Sequence, residues 1–339
     1  MLNFIENKTK KIIFIIAAAL LVAVLLAGII FTCIYFCTDL KEEPRVMGYY
    51  AYPHALTNEQ LDNIHMAKYT HILFGFAHAN KETGLPEFRD NAEEALVHLI
   101  SYRESRNLNF KLILSIGSFI PNKLLTDEGR QEYAQACLYL LNKYNLDGID
   151  IDWEFPATKD EDYAFGMLLY EIRQAIGNDH ILSFAATNIP ALAARFDNML
   201  IKKTVDFVNV MCYDFSLEKQ SDLFTTTMVM LNYVAAQGYK KSQLNVGVPF
   251  YGRSSSPEYE YNHYYEIKEK AAKGELTIVE KSNYSYAYGE YGQVTFDTVN
   301  IMKKKAKFVK NGGYGGIFTW HISCDDNNDL LDAMALVRE

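Results

Sequence analysis

Residues 147–154 read DGIDIDWE, in which acidic and apolar side chains alternate. In an extended strand successive residues point to opposite faces, so Asp150, Asp152 and Glu154 share one face, and the two isoleucines and the tryptophan share the other. The three carboxylates would lie about 6.6 Å apart and repel one another. The stretch therefore predicts a strand, Gly148–Glu154, with three crowded carboxylates on one side.

This crowding has a chemical use. Burial and a neighbouring like charge both raise the pKa of a carboxyl group, so at least one of the three is expected to hold a proton near neutral pH. A protonated carboxylic acid beside an ionised one is what acid-catalysed glycosidic cleavage requires. A solvated acidic edge strand and a calcium loop are the alternatives. The apolar neighbours disfavour the first, and the missing calcium-loop pattern of glycine and closing glutamate disfavours the second.

On both sides of this stretch, short β-rich apolar runs alternate with longer segments of helical periodicity. The predicted strands are Val46–Tyr50, Thr70–Phe76, Lys111–Ile116, Gly148–Glu154, Leu182–Thr187, Phe207–Tyr213, Leu244–Val248 and Gly315–Trp320. The predicted helices include Ala92–Arg106, with Asn91 as its cap, Asp127–Tyr144, Tyr163–Ala175, Thr225–Ala236, Thr298–Lys310 and Asp329–Arg338.

Eight strand-then-helix units predict a closed (β/α)8 TIM barrel, an α/β fold whose catalytic groups lie at the C-terminal ends of the strands. An open doubly wound sheet is the alternative, but the first strand lacks the glycine-rich phosphate turn of that fold. The segment between the seventh and eighth strands, 253–313, is long and rich in tyrosine. Its alternating Tyr284, Tyr286 and Tyr288 fit either a sugar-stacking rim or a small inserted hairpin packed on the barrel.

The N-terminal region is of another kind. Residues 12–37 form an apolar run that is long enough, at about 1.5 Å per residue, to cross a bilayer. Lysines precede the run and mainly acidic residues follow it, so the positive-inside rule predicts a cytoplasmic tail (1–11), a transmembrane signal-anchor helix (12–37), a linker (38–45) and an extracellular or lumenal catalytic domain (46–339). A cleaved signal peptide is the alternative, but its apolar stretch is shorter, about 7–15 residues.

Charge and composition exclude several kinds of partner. The formal net charge of −9, without a basic run in the body of the chain, argues against nucleic acid and fits a neutral substrate. Of the five cysteines, Cys33 and Cys37 end the apolar run, and Cys137, Cys212 and Cys324 are expected to be buried rather than disulfide-bonded. The histidines are scattered, and 320–326 lacks a metal-ligand spacing. The sequence therefore predicts no metal and no organic cofactor.

The acidic stretch resembles the DxxDxDxE signature of glycoside hydrolase family 18, which stands intact as Asp147, Asp150, Asp152 and Glu154. Six further segments resemble the same family in the same order: VMGYYAY (46–52), THILFGFA (70–77), KLILSIGS (111–118), VNVMCYDF (208–215), VGVPFYGR (246–253) and GGYGGIFTW (312–320). One departure is Ser118, which stands where the family commonly has a second glycine.

The resemblance implies a retaining mechanism in which the substrate's own 2-acetamido group is the nucleophile. Glu154 would protonate the glycosidic oxygen and later act as base for water. Asp152 would orient the acetamido N–H, and Asp150 would share a proton or hydrogen bond with Asp152. Asp147, which has the opposite strand parity, and Gly148 are expected to be structural.

The resemblance also implies substrate-binding residues, each at the end of a predicted strand. Tyr213 would donate to the acetamido oxygen, with Met211 and Asp214 lining the same subsite. Trp320 would form the apolar floor under the sugar, and Tyr49 and Phe76 resemble further subsite aromatics.

The function implied is hydrolysis of β-1,4-linked N-acetylglucosamine polymers such as chitin or chito-oligosaccharides. One alternative is an endo-β-N-acetylglucosaminidase acting on N-glycans or peptidoglycan. Another is a non-hydrolytic chitin-binding lectin on the same barrel. Lectins of this family typically lose the signature glutamate, whereas Glu154 is present.

Overall fold

A computed structural model of the protein describes residues 43–51, 56–186, 199–214, 222–256 and 261–339. The strands in chain order are β1 (Arg45–Ala51), β2 (His71–Ala79), β3 (Pro86–Glu87), β4 (Lys111–Gly117), β5 (Gly148–Asp152), β6 (Ile181–Ala186), β7 (Phe207–Val210), β8 (Leu244–Pro249), β9 (Tyr251–Arg253), β10 (Tyr261–His263), β11 (Leu276–Glu280), β12 (Ser285–Gly289), β13 (Gly292–Phe296) and β14 (Gly316–Trp320).

Eight of these strands form a closed parallel barrel. Their order is β1-β2-β4-β5-β6-β7-β8-β14, and β1 pairs with both β2 and β14, which closes the ring. The predicted (β/α)8 barrel is confirmed, and the open-sheet alternative is wrong. All eight predicted strands form, although β5 ends at Asp152 rather than Glu154 and β7 ends at Val210 rather than Tyr213.

Helices follow the strands and surround the barrel. They are α1 (Asn58–Asn63), α2 (Ala92–Ser105), α3 (Pro121–Leu124), α4 (Asp127–Lys143), α5 (Lys159–Ile176), α6 (Met199–Thr204), α7 (Met228–Ala236), α8 (Tyr264–Ala272), α9 (Val299–Gly312) and α10 (Asp329–Ala335). Threonine caps several of them: the hydroxyl of Thr126 accepts from the N–H of Gly129, and that of Thr158 from the N–H of Glu161. Asn91 does precede α2, but its side chain makes no capping hydrogen bond.

The alternation of side chains divides the apolar core into two parts. Ile149 and Ile151 of β5 are fully buried between the barrel and its helices. Residues of opposite parity fill the inside of the barrel, where Met47, Leu73 and Phe318 pack together. The acidic side chains of β5 therefore enter the barrel and are not on an edge strand, so the solvated-strand alternative is wrong.

The insertion between β8 and β14 is larger than the small hairpin expected. It is a five-stranded antiparallel sheet, in the order β10-β9-β13-β12-β11, with α8 between β10 and β11. In β12 the predicted alternation holds, because Ala287 is buried while Tyr288 is half exposed. Tyr286 stacks on Tyr284, with ring centroids 6.3 Å apart.

The predicted transmembrane segment, 12–37, lies outside the described residues, as do Cys33 and Cys37. Within the described ranges, no helix combines the length and the apolar character needed to cross a membrane. Cys137, Cys212 and Cys324 are buried and form no disulfide, as predicted.

Candidate active site

Asp150 is fully buried in the middle of the barrel and accepts hydrogen bonds from side chains of four other strands. The donors are Tyr49 Oη (3.0 Å), Ser115 Oγ (2.8 Å), Ser183 Oγ (2.6 Å) and Asn209 Nδ2 (3.2 Å). Burial raises the pKa of Asp150, and the hydrogen bonds oppose that rise because they favour the ionised form. Hydrogen bonds to both of its oxygens therefore hold the carboxyl group in one orientation.

The network continues toward the N-terminal end of the barrel. Asn245 Nδ2 donates to Asn209 Oδ1 over 2.9 Å, and Arg45 Nε donates to Asn245 Oδ1 over 2.9 Å. Sequence reasoning missed Ser115, Ser183 and these two asparagines. Their signal was a polar residue with an apolar neighbour on each side within a strand, which predicts a partner inside the barrel.

Asp152 lies one step above Asp150 at the C-terminal end of β5. It is 8% exposed, and Oδ1 is buried without a hydrogen-bond partner among the described residues. Burial and then the charges of Glu154 and Asp150 raise its pKa well above the usual range. Asp152 and Glu154 also share a hydrogen bond. The two carboxyl groups therefore favour a state in which they hold one proton between them.

Glu154 comes two residues after the end of β5, where solvent reaches it from the mouth of the barrel. The surrounding protein nevertheless desolvates the carboxyl group, and this raises its pKa. The charge of Asp214 raises it further, while the hydrogen bond with Asp152 lowers it. A carboxylic acid with a raised pKa beside solvent can donate a proton to a bound leaving group.

The expected sharing of a proton or hydrogen bond between Asp150 and Asp152 is not what this geometry shows. Asp150 is occupied by its four side-chain donors, whereas the hydrogen-bonding partner of Asp152 is Glu154. Asp150 influences Asp152 through its charge alone. The reason is that hydroxyl and amide donors on other strands surround Asp150, and the sequence does not show that these side chains meet at one carboxylate.

A cavity of about 240 Å3 opens above these carboxylates. Its lining brings together residues from six barrel strands or their exits: Tyr49, Asp152, Glu154, Ala185, Met211, Tyr213, Asp214, Tyr251 and Trp320. Burial and the nearby negative charges raise the pKa values of Tyr49 and Tyr213 well above 10, so both phenols stay protonated donors.

Trp320 and its neighbours form the apolar side of this cavity. The ring of Trp320 lies 5.4 Å from that of Tyr49 and stacks on Phe76 at 5.8 Å, measured between centroids. Phe76 supports Trp320 from behind and does not itself line the cavity. A flat aromatic face opposite polar groups suits a sugar ring, which has apolar C–H faces and polar edges.

Sequence reasoning also missed Tyr251. Its hydroxyl donates to Asp214 Oδ2 over 2.7 Å and so orients that carboxylate at the cavity wall. Tyr251 lies in the segment VGVPFYGR, two residues after the end of β8, and is the first residue of β9. Its position just past a barrel strand was the available signal, since that end of the strand carries the site.

Asp147 and Gly148 lie at the opposite end of β5 from the cavity. Asp147 forms ion pairs with Lys111 (2.8 Å) and Arg103 (3.1 Å) and accepts a hydrogen bond from the N–H of Leu112. A Cβ on Gly148 would come within 2.5 Å of the carbonyl oxygen of Ile181 on the neighbouring strand. Both residues therefore hold the start of β5 in place.

Ser118 follows β4 and does not line the cavity among the described residues. Its φ is 48°, in the left-handed region that glycine adopts most readily. Its Oγ lies 3.1 Å from His78 Nδ1. The departure from the family pattern at this position therefore lies outside the lining of the cavity.

A closed (β/α)8 barrel with paired carboxylates of raised pKa under an aromatic-walled cavity defines a glycoside hydrolase. The chain belongs to the glycosyl hydrolases family 18, whose family model matches residues 45–325.

The chain is similar to proteins named as chitinases or as chitinase-like proteins. The chain is 23% identical to human (Homo sapiens) chitinase-3-like protein 2, over 78% of this chain and 82% of the relative. It is 26% identical to mouse (Mus musculus) chitotriosidase-1, over 76% of this chain and 67% of the relative. Among solved structures, a mutant class V chitinase from Nicotiana tobaccum in complex with NAG4 has the same fold, with a TM-score of 0.78 and 20% identity over 87% of this chain and 98% of that one.

Proposed function

We propose that this protein hydrolyses β-1,4-linked N-acetylglucosamine polymers, chitin or chito-oligosaccharides, with retention of configuration and with the substrate's 2-acetamido group as nucleophile. One observation carries the proposal. Asp152 and Glu154 share a hydrogen bond at the floor of the cavity, and the protein around them raises the pKa of both. A second carboxylate that acts as nucleophile is not needed, because the substrate supplies the attacking oxygen.

In the first step Glu154 protonates the glycosidic oxygen as the bond to the anomeric carbon breaks. The acetamido carbonyl oxygen attacks the anomeric carbon and forms an oxazolinium ion. Asp152 accepts from the acetamido N–H and stabilises the positive charge that develops there. Its proximity to Glu154 supports this role, since Asp152 gives up its hydrogen bond with Glu154 when it accepts from the substrate N–H, and Glu154 is then free to give up its proton.

In the second step Glu154, now ionised, takes a proton from water as the water attacks the anomeric carbon, and the oxazolinium ring opens. The Tyr213 hydroxyl, kept protonated by its surroundings, donates to the acetamido oxygen. Trp320 supports the apolar face of the sugar, with Met211 and Asp214 at the sides of the same cavity. Asp150, fixed by four hydrogen bonds, supplies a negative charge beneath the pair.

The relatives support this substrate class by their names, and the solved neighbour holds an N-acetylglucosamine oligomer. The presence of Glu154 favours hydrolysis over sugar binding alone. Cleavage of N-glycans or peptidoglycan uses the same chemistry, so the substrate panel below separates these alternatives.

The proposed place of action is outside the cell or in a lumen, with residues 12–37 as a retained membrane anchor. The support is the length of the apolar run and the lysines on its N-terminal side. In sealed vesicles, protease added outside should digest residues 46–339 only when they face outward. Release of this domain without detergent would instead indicate a cleaved signal peptide.

The catalytic proposal is tested with the full-length chain in detergent on chito-oligosaccharides, high-mannose glycopeptide and peptidoglycan. We expect turnover of chito-oligosaccharides, with retained anomeric configuration in the first product. Glu154→Gln should lower kcat by roughly 10²–10⁴-fold, because the general acid is lost.

The matched control is Glu104→Gln, which makes the same change at an exposed position on α2. It should leave kcat unchanged. Full turnover in Glu154→Gln would contradict the assigned acid. Tight binding of chito-oligosaccharides without product release in the wild type would favour the lectin, and exclusive turnover of glycopeptide or peptidoglycan would favour the alternative substrate.

A further inference from the structure

A second group of reactive side chains lies beside the active site, where the insertion sheet meets the exit of β14. His263 ends β10, His321 directly follows Trp320, and Cys324 ends a short 3-10 turn. One potential ligand atom from each residue lies within 4.8 Å of the other two. His321 and Cys324 are buried and His263 is half-buried, so the cluster is largely shielded from water.

The distances suit a tetrahedral metal. His321 Nε2 lies 3.4 Å from Cys324 Sγ. A zinc ion bound at about 2.1 Å by nitrogen and 2.3 Å by sulfur places those two ligand atoms about 3.6 Å apart. His321 and Cys324 are therefore already close to the spacing that a shared zinc ion requires. The ligand atom of His263 lies within 4.8 Å of both and needs to move only slightly nearer.

The hydrogen-bond partners of the two imidazoles also support a metal site. Ser323 Oγ lies 2.7 Å from His321 Nδ1, and Tyr265 Oη lies 3.0 Å from His263 Nδ1. In metal sites the second ring nitrogen of a ligating histidine is commonly held by an oxygen in this way, which fixes the ring and directs Nε2 to the metal. Here both histidines have such an oxygen on Nδ1.

A neighbouring cavity gives a metal ion access to the cluster, and nearby carboxylates make the electrostatic potential favourable for a cation. His263 borders a cavity of about 750 Å3 that is distinct from the catalytic one and includes Asp325 and Asp326 in its lining. Asp325 Oδ1 is buried without a hydrogen-bond partner among the described residues. Carboxylates beside the cluster attract a cation, and the cavity leaves space for water as a fourth ligand.

We propose that His263, His321 and Cys324 form a zinc site that ties the insertion sheet to the exit of β14, next to Trp320. Two imidazoles and a thiolate are a donor set that zinc prefers. This proposal revises the sequence-based expectation of no metal. That expectation rested on the spacing within 320–326 and on the scatter of the histidines along the chain, whereas the fold brings His263 in from a separate strand.

The test uses the full-length chain in detergent, stripped of metal with a chelator and titrated with zinc and with cobalt. We expect one zinc per chain by mass spectrometry, a rise in Tm on zinc addition, and a sulfur-to-cobalt charge-transfer band in the absorption spectrum of the cobalt form. Because these readouts measure metal and not turnover, failure of this proposal is separate from failure of the proposed function.

Two variants with matched controls locate the site. His263→Gln should weaken zinc binding by more than tenfold, and Cys324→Ala should abolish the sulfur-to-cobalt band. His180→Gln, at the other end of the barrel, and Cys137→Ala, a buried thiol on α4, should bind zinc like the wild type. If Cys324→Ala fails to fold, His263→Gln carries the test alone. Absent zinc binding, a cobalt spectrum without the sulfur band, or undiminished binding in His263→Gln would overturn the site.

Discussion

Replacing Asp152 with asparagine should stabilise the protein at neutral and alkaline pH while lowering its activity. The ionised carboxylate is buried next to two other acidic groups, and one of its oxygens is without a partner among the described residues. Asparagine has nearly the same shape and no charge, and its amide can donate to Glu154. The change therefore removes repulsion and desolvation and keeps the packing.

The size of the effect follows from two magnitudes. A buried polar group without a partner costs about 1–3 kcal/mol, and each unit by which a folded-state pKa exceeds the unfolded value corresponds to about 1.4 kcal/mol. We therefore expect Asp152→Asn to raise the free energy of unfolding by about 1–3 kcal/mol. For a domain of this size, that is a rise in Tm of roughly 2–6 °C.

The pH dependence has a definite sign. The folded state raises the pKa of Asp152, so the folded protein binds this proton more tightly than the unfolded chain does. The wild type therefore loses stability as pH rises from the ordinary aspartate range, about 4, through the raised folded value. The asparagine variant has no such group. The difference in Tm should be small near pH 4, grow with pH and then level off.

The assay is thermal unfolding of both proteins from pH 4 to pH 9, followed by circular dichroism, with Asp179→Asn as control. Asp179 is exposed in the turn before β6. The difference in Tm between Asp179→Asn and the wild type should therefore stay constant from pH 4 to pH 9. A lower Tm for Asp152→Asn at every pH, or a gain that does not vary with pH, would refute the electrostatic reasoning.

Three further changes probe the site and its scaffold. Tyr213→Phe should lower kcat by about 10²-fold with little change in Tm, because it removes a hydrogen-bond donor to charge that develops in the transition state; an unchanged kcat would remove Tyr213 from the mechanism. Lys305→Met should destabilise the fold by about 3–5 kcal/mol in urea unfolding, since it removes the cation of a buried ion pair with Asp297, 2.6 Å away. The double variant with Asp297→Leu should recover most of that loss, and a merely additive double variant would argue against the pair. Gly148→Ala should destabilise by about 1–3 kcal/mol, because its Cβ would meet the carbonyl of Ile181 at 2.5 Å; a neutral effect on urea unfolding would show that the strands can separate there.

Much of the fold was available from local sequence. Each barrel strand is a short apolar run bounded by polar or turn residues, and each is followed by helical periodicity, so the eight units and their parallel order could be predicted. The ends of individual strands were predicted less accurately. In the stretch 148–154 the alternation continues to Glu154, but the ladder with β4 ends at Asp152, because Gly117 is the last residue of β4.

The candidate site was predictable where its residues end a barrel strand or follow its end within three residues. Asp152, Glu154, Tyr213 and Trp320 all meet at the cavity, as the barrel geometry requires. Tyr251, two residues beyond β8, was missed although its position just past a barrel strand was an available signal.

By itself, the sequence determined the barrel and the parity of its acidic strand, because both depend on apolar periodicity within a few residues. It also carries the apolar run 12–37, whose proposed role as an anchor comes from length and flanking charge alone. Only the tertiary structure decided which groups pair. Asp150 received its donors from four strands, which left Asp152 to Glu154, and His263 came next to His321 although 57 residues separate them in the chain. Such contacts depend on how distant strands are registered around the ring, and no local pattern contains that information.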